Sequence, residues 1–421
     1  MGLAHVLDKK QDGRRIAVAL EIVYFCYLSV IVVYEYQFST MFQIMWPSHL
    51  DQVLRLLGYA FVLIKFVMDD RWKWREIVLA GLIFIAFYGC WKSVRSLDMI
   101  FGLILILASK NIPFDRIVKV YLAVEIPAIL ITMYCSLHGY IENLTYDYGG
   151  GRIAYAFGSI YRTDFCAHLF FLACGLIWVS RKKLWYPESI FILWLAWFAN
   201  RYCYARNSTI CLLLLGCGAL LIRAYRDINT WRQQHKKSSV GYQKKKIRKN
   251  ILFLACFSTP VFAVVSTLLS RFYNPNVRWM AVMNKLLTSR LSLGREGFLR
   301  YNVTIFGQYI PMVGAGGIRN YDQPYFFLDN SYVNILLTLG IAVFMALVLI
   351  YSISSLRAFK NGDFVCIFIL SVAALHCCIE HHMAELPYDM FLLLPLAKTG
   401  WDELQFPDRW IRKFRKIGNI N

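Results

Sequence analysis

Arginine is the residue whose placement first suggests chemistry. Arg152, Arg162, Arg206, Arg290, Arg295 and Arg300 fall in connections on one side of an alternating series of apolar runs, where lysine is rare; the opposite connections mix the two cations almost evenly. A planar guanidinium binds phosphate oxygens bidentately and keeps its charge in a dry pocket, whereas lysine acts there as a hydrated point charge. A phosphate or another anion is therefore the expected ligand on that side. The plainer account is that each arginine snorkels at an interface or pairs locally, as Arg300 would with Glu296 one helical turn away.

Groups able to move a proton recur at the same level. Asp329-Asn330-Ser331-Tyr332 heads one apolar run, and Glu380-His381-His382 with Glu385 lies between the last two. Tyr161-Arg162-Thr163-Asp164, Arg206-Asn207-Ser208 and Gly149-Gly150-Gly151-Arg152 sit at the same side. Asp329, Glu380, His381 and His382 are candidate general bases for a hydroxyl, and Asn330 and Tyr332 candidate sugar contacts. Asp329 and Ser331 are also ordinary helix-capping residues, and Asp164 can simply pair with Arg162 or cap its helix. Adjacent His381 and His382 point apart on any regular backbone, so no shared metal and no cofactor is expected. Glu125, followed by Pro127, reads as lying nearer the opposite side and is left out of the site.

These groups must be positioned by a membrane bundle. Of 421 residues, 58% are hydrophobic and 17% charged, and the mean hydropathy is +0.46, too apolar for a soluble chain of this length. Apolar runs near 16–34, 51–68, 77–91, 97–109, 117–137, 163–179, 188–203, 208–222, 251–270, 333–355, 364–379 and 387–400 predict an all-α polytopic fold of about 12 transmembrane helices. Residues 1–421 then form a single integral membrane domain with a basic connection at 223–250 and a long one at 271–331. Most of the 46 Lys and Arg lie in one alternate set of connections. The positive-inside rule therefore puts both termini in the cytoplasm of a multi-pass plasma-membrane protein and the 271–331 segment outside. The net charge of +20 is explained by topology, with no nucleic-acid module visible. The 12 cysteines lie mostly inside apolar runs without metal or disulfide spacing.

Arg290 with Leu291-Ser292-Leu293, Phe306-Gly307-Gln308, Gly314-x-Gly316, Leu328-Asp329-Asn330-Ser331-Tyr332 and Leu339-Gly340-Ile341 resembles the long outer loop of the O-antigen polymerase and ligase superfamily. It is closest to the repeat-unit polymerases of Gram-positive capsular and exopolysaccharide clusters. Gly151-Arg152 with Phe157-Gly158, the Arg206-Asn207-Ser208 helix start, and Glu380-His381-His382 through Phe391-Leu392-Leu393 are similar too. The resemblance implies a polysaccharide-synthesising glycosyltransferase of the cell envelope whose outer-face arginines hold undecaprenyl-diphosphate-linked oligosaccharide. A flippase and a chain-length regulator are its implied companions. Many ligases carry histidine at the position of Asp329, which favours a polymerase and leaves the base open.

Two rival classes share the membrane-bundle architecture. A lipid-linked-oligosaccharide flippase would carry ionisable groups along a path through the bundle, whereas here they collect at one surface. An export scaffold would not need five polar clusters on one face. Within the enzyme class, an O-antigen-ligase-like transferase would pass the glycan to a different acceptor.

Overall fold

The computed structural model describes residues 2–68, 72–235, 250–317 and 324–400, and they form a helical bundle. Half of the basic 223–250 segment, residues 236–249, and everything after residue 400 lie outside these residues. Among the described residues, six helical segments are long and apolar enough to cross a membrane: Arg15–Ser39, Trp74–Val94, Phe114–Leu137, Arg162–Ser180, Arg206–Arg232 and Ser331–Lys360. The helices used below are α1 (Gly2–Tyr36), α2 (Leu50–Met68), α3 (Trp74–Val94), α4 (Leu97–Ala108), α5 (Phe114–Leu137), α6 (Arg162–Ser180), α7 (Tyr186–Phe198), α8 (Arg206–His235) and α9 (Ser258–Arg271). They continue with α10 (Arg278–Leu286), α11 (Arg290–Arg300), α12 (Ser331–Lys360, with an internal π turn) and α13 (Phe364–His376).

Burial separates the centre of the bundle from its rim. The apolar window of α6 is 78% buried, against 28% for those of α1 and α3. A helix apolar all round, such as α6, belongs in the interior, whereas rim helices leave side chains such as Leu63, Ile85 and Leu130 facing outward. The expected twelve spans are not all present as such. α4, with 12 residues, rises only about 18 Å at 1.5 Å per residue, short of a hydrocarbon core of about 30 Å. α13, with 13 residues, is similarly short.

The largest departure from expectation is 387–400, which forms no continuous helix. Pro387 and Pro395 bracket the run, and between them the chain makes only a 3-10 turn at Met390–Leu393. Proline removes a helical donor and clashes with the preceding turn. The irregular backbone is tolerated because it is enclosed by protein, which supplies its hydrogen bonds. Tyr121 donates to the Tyr388 carbonyl at 3.0 Å and Arg357 to that of Pro395 at 2.8 Å. Backbone bonds Phe114 N to Lys398 O and Lys398 N to Ile112 O, both 2.8 Å, tie the end of the segment to the start of α5.

The 271–331 segment carries α10 and α11, then irregular chain held on a small apolar cluster of Phe298, Ile310, Phe326, Leu328, Val333 and Leu337. Gly316 allows this chain to reach the residues leading into α6: a Cβ there would lie 2.4 Å from the Ile160 carbonyl, which instead accepts from Gly317 N at 3.0 Å. A short hairpin, β1 (Thr145–Asp147) with β2 (Ile153–Tyr155), closes the same end before α6 begins.

Candidate functional site

Two cavities of opposite character lie side by side at this end. The first, about 570 Å³, is lined by Glu35, Asp98, Asp164, Asp329 and Glu385, with Tyr34, Tyr325, Phe327 and His381 among its other walls. Its acids come from the end of α1, the first turns of α4 and α6, the residues before α12, and the turn after α13. The second, about 760 Å³, is lined by Arg152, Arg162, Arg206, Arg290 and Glu380, with Tyr148, Tyr204 and Asn207. Tyr161 lines both.

The two meet at an ion pair. Arg290 Nη2 lies 3.2 Å from Asp329 Oδ2, with side chains 13% and 9% exposed. Arg290 also donates to the Thr288 carbonyl at 3.1 Å, and its buried Nε has no hydrogen-bond partner among the described residues. Burial opposes the Arg290 charge, but Asp329 and Glu380 outweigh it and raise the pKa. Burial pushes the Asp329 carboxyl up to about 6 against the pull of Arg290. Burial likewise carries Glu380 to about 7, again with Arg290 opposing. Both are poised to exchange protons near neutrality. One Glu380 oxygen has no hydrogen-bond partner among the described residues.

The chain around the second cavity is shaped locally for access. α7 runs into a π turn at Ala199–Cys203, and Tyr204 then takes a left-handed conformation, φ 50°, before Arg206 opens α8. Such a turn widens the helix and breaks its line, here at the cavity wall. Arg162 donates to the Cys203 and Tyr204 carbonyls at 2.8 Å each and lies over the Tyr148 ring at 4.9 Å. It both clamps this corner and presents its charge to the cavity. Arg152 and Arg206 are exposed.

Four of the sequence candidates belong elsewhere. Arg295 donates to the Tyr273 carbonyl and Arg300 pairs with Glu296; neither lines the cavities. Asn330 caps α12, accepting from Tyr332 N at 3.0 Å and Val333 N at 3.3 Å. Tyr332, 1% exposed, donates to the Ala374 carbonyl at 2.8 Å, so it packs α12 on α13 rather than facing a glycan.

No protein-family model, curated protein or solved structure matches the chain.

The histidine pair departs from the expectation that adjacent rings diverge. The chain leaves α13 in turns, not in a regular helix, and the 3-10 turn His382–Ala384 brings Glu385 back to both rings. His381 Nε2 is 3.5 Å from one Glu385 oxygen and His382 Nδ1 2.9 Å from the other. Burial pushes His381 down to about 3 and His382 well below the ordinary imidazole range, so both are neutral at pH 7.

Glu125 also requires correction. Glu125 Oε1 lies 2.6 Å from His168 Nδ1, and both side chains are fully buried. His168 Nε2 is 2.9 Å from Ser39 Oγ, and Ser39 lines the first cavity. The His168 ring stacks on Tyr388 at 3.9 Å, which stacks on His382 at 3.8 Å. Glu125 is thus linked to the site. Sequence reading missed Glu35 and Asp98 altogether, although isolated acids in or beside apolar runs are functional candidates by default.

The arrangement can hold a polyanion among guanidinium groups, of which Arg162 and Arg290 are anchored, and a hydroxyl-bearing partner among carboxylates next door. Charge developing on a leaving phosphate would meet donors already in place.

Proposed function

We propose that the chain is a polysaccharide repeat-unit polymerase, transferring a glycan from undecaprenyl diphosphate onto a lipid-linked oligosaccharide acceptor. The observation that carries this reading is the junction of the two cavities at Arg290 and Asp329, a cation facing the anion side and a carboxylate facing the acid-lined side. By the distribution of lysine and arginine, this end of the bundle faces out of the cell.

Arg152, Arg162, Arg206 and Arg290 hold the donor diphosphate. The acceptor sugar lies in the carboxylate-lined cavity, with its attacking hydroxyl directed at Asp329. As the acceptor oxygen bonds to the anomeric carbon, Asp329 takes its proton, and the bond from that carbon to the diphosphate oxygen breaks with the electron pair leaving on phosphate. Arginine stabilises that charge, so no strong general acid is required. Asp329 is suited to the task because its carboxyl titrates at about 6, close to working pH. Glu380, which burial brings to about 7 on the other side of the Arg290 pair, stands behind it as an alternative base.

The test is to extract lipid-linked glycan from cells with wild-type protein, no protein, Arg290→Ala or Asp329→Asn at matched expression, and to count repeat units. Polymer in wild type and single units outside the membrane in the variants is the expected result. Single units retained inside would make the protein a flippase and overturn the reading.

A further inference from the structure

The turn after α13 places a set of metal-binding groups on the wall of the carboxylate-lined cavity. One donor atom each from His381, His382 and Glu385 can be chosen so that all lie within 4.8 Å of one another. The Glu385 carboxylate is 3.5 Å from His381 Nε2 and 2.9 Å from His382 Nδ1. Tetrahedral coordination with bonds of about 2.0–2.1 Å requires donors about 3.3 Å apart, and each histidine nitrogen stands near that distance from a different Glu385 oxygen, Oε1 for His381 and Oε2 for His382.

Two further observations point to a ligand. His382 is 1% exposed, and its other nitrogen, Nε2, has no hydrogen-bond partner among the described residues. That nitrogen faces Asp164 Oδ1 at 3.7 Å. A carboxylate behind the far nitrogen of a histidine is the arrangement that orients imidazole ligands in metal sites. Glu35, 4% exposed with neither oxygen hydrogen-bonded among the described residues, lines the same cavity.

We propose that His381 Nε2, His382 Nδ1 and the Glu385 carboxylate bind one divalent transition ion of the zinc class, with Asp164 orienting His382. Two imidazoles and one carboxylate suit borderline ions such as Zn²⁺ or Co²⁺ rather than Ca²⁺ or Mg²⁺, which prefer all-oxygen shells. Three protein ligands leave a coordination position open, and His381 and Glu385 both line the cavity. That position takes water or a hydroxyl of a ligand held there. The inference is independent of the polymerase reading.

The experiment uses the full chain, purified in detergent without a polyhistidine tag and stripped with chelator. It is loaded with Co²⁺ or Zn²⁺ and desalted. The expected result is one metal per chain by elemental mass spectrometry, a visible Co²⁺ spectrum of four-coordinate type, and loss of both in His382→Gln and Glu385→Gln. Asp164→Asn keeps the shape and should weaken binding about 10–100-fold. Because an unfolded variant would also bind nothing, a second measurement uses wild type alone. Zn²⁺ should protect His381, whose side chain is 18% exposed, from carbethoxylation as read by peptide mass spectrometry. A wild-type chain that retains no Co²⁺ or Zn²⁺, Zn²⁺ that fails to protect His381, or folded variants that retain metal like wild type, would overturn the proposal.

Discussion

Arg290 lines one cavity, Asp329 lines the other, and 3.2 Å separates their charged atoms. The pair therefore carries two duties: it closes the wall between two sites, and it sets the charge that each site presents. Breaking a buried pair by removing one partner costs about 3–5 kcal/mol because the other charge is left uncompensated.

Arg290→Ala should consequently lower both stability and activity. Loss of one charge-stabilising donor is expected to cut the rate of chain extension by about 10²–10³-fold. Arg290→Lys should recover stability better than activity, since lysine supplies charge without the fork. Thermal unfolding and single-turnover extension, measured on the same preparations, separate the two effects.

Activity should depend on pH through Asp329. A base must be deprotonated to act, and burial brings this carboxyl to about 6. Extension should hold above that pH and fall about tenfold per unit below it. In Asp329→Asn this acid limb should vanish along with most of the activity. A wild-type profile flat from pH 5 to 8, with Asp329→Asn active, would remove Asp329 from the role.

In the metal-free chain the histidines make stability pH-dependent as well. His381 and His382 have folded pKa values below the ordinary imidazole value, so the unfolded chain binds their protons more readily. Their contribution is fully present above about pH 6.5 and is lost as pH falls toward the folded values, by at most about 1.4 kcal/mol per unit for each. Melting temperature followed from pH 7.5 to 4.5 should decline, and the slope should shrink in His381→Gln.

Arg300→Gln should be nearly silent. Its side chain is 47% exposed and its partner Glu296 37% exposed, and such surface pairs contribute about 0.2–1 kcal/mol. Extension within twofold of wild type is expected, in contrast with Arg206→Gln, which removes a cation from the second cavity. Equal losses in the two variants would show that a general positive field, rather than the cavity, governs activity.

Asn330→Ala and Tyr332→Phe should behave as structural changes. The first removes the α12 cap and the second a buried hydrogen bond, each worth about 1 kcal/mol. Both should lower the melting temperature while leaving the affinity for lipid-linked donor unchanged, as measured by binding of a diphosphate-headgroup lipid in nanodiscs.

The apolar helices, the arginine bias and the grouping of Arg152, Arg162, Arg206, Arg290, Asp329 and Glu380 at one end of the bundle were legible in the chain alone. Those properties follow from composition and periodicity, which are local. The sequence did not determine how 387–400 would fold, because an apolar run bounded by prolines is compatible with a helix or with an enclosed irregular segment. Only packing, which supplies Tyr121 and Arg357 as hydrogen-bond donors, decides between them. Tertiary structure also decided that Glu35 and Asp98, more than 200 residues before Asp329, share its cavity. It decided as well that Arg295 and Arg300 turn to local partners instead. Which side chains meet at a bundle's end depends on how helices are arranged around α6, and that arrangement is set by close packing between segments far apart in the chain.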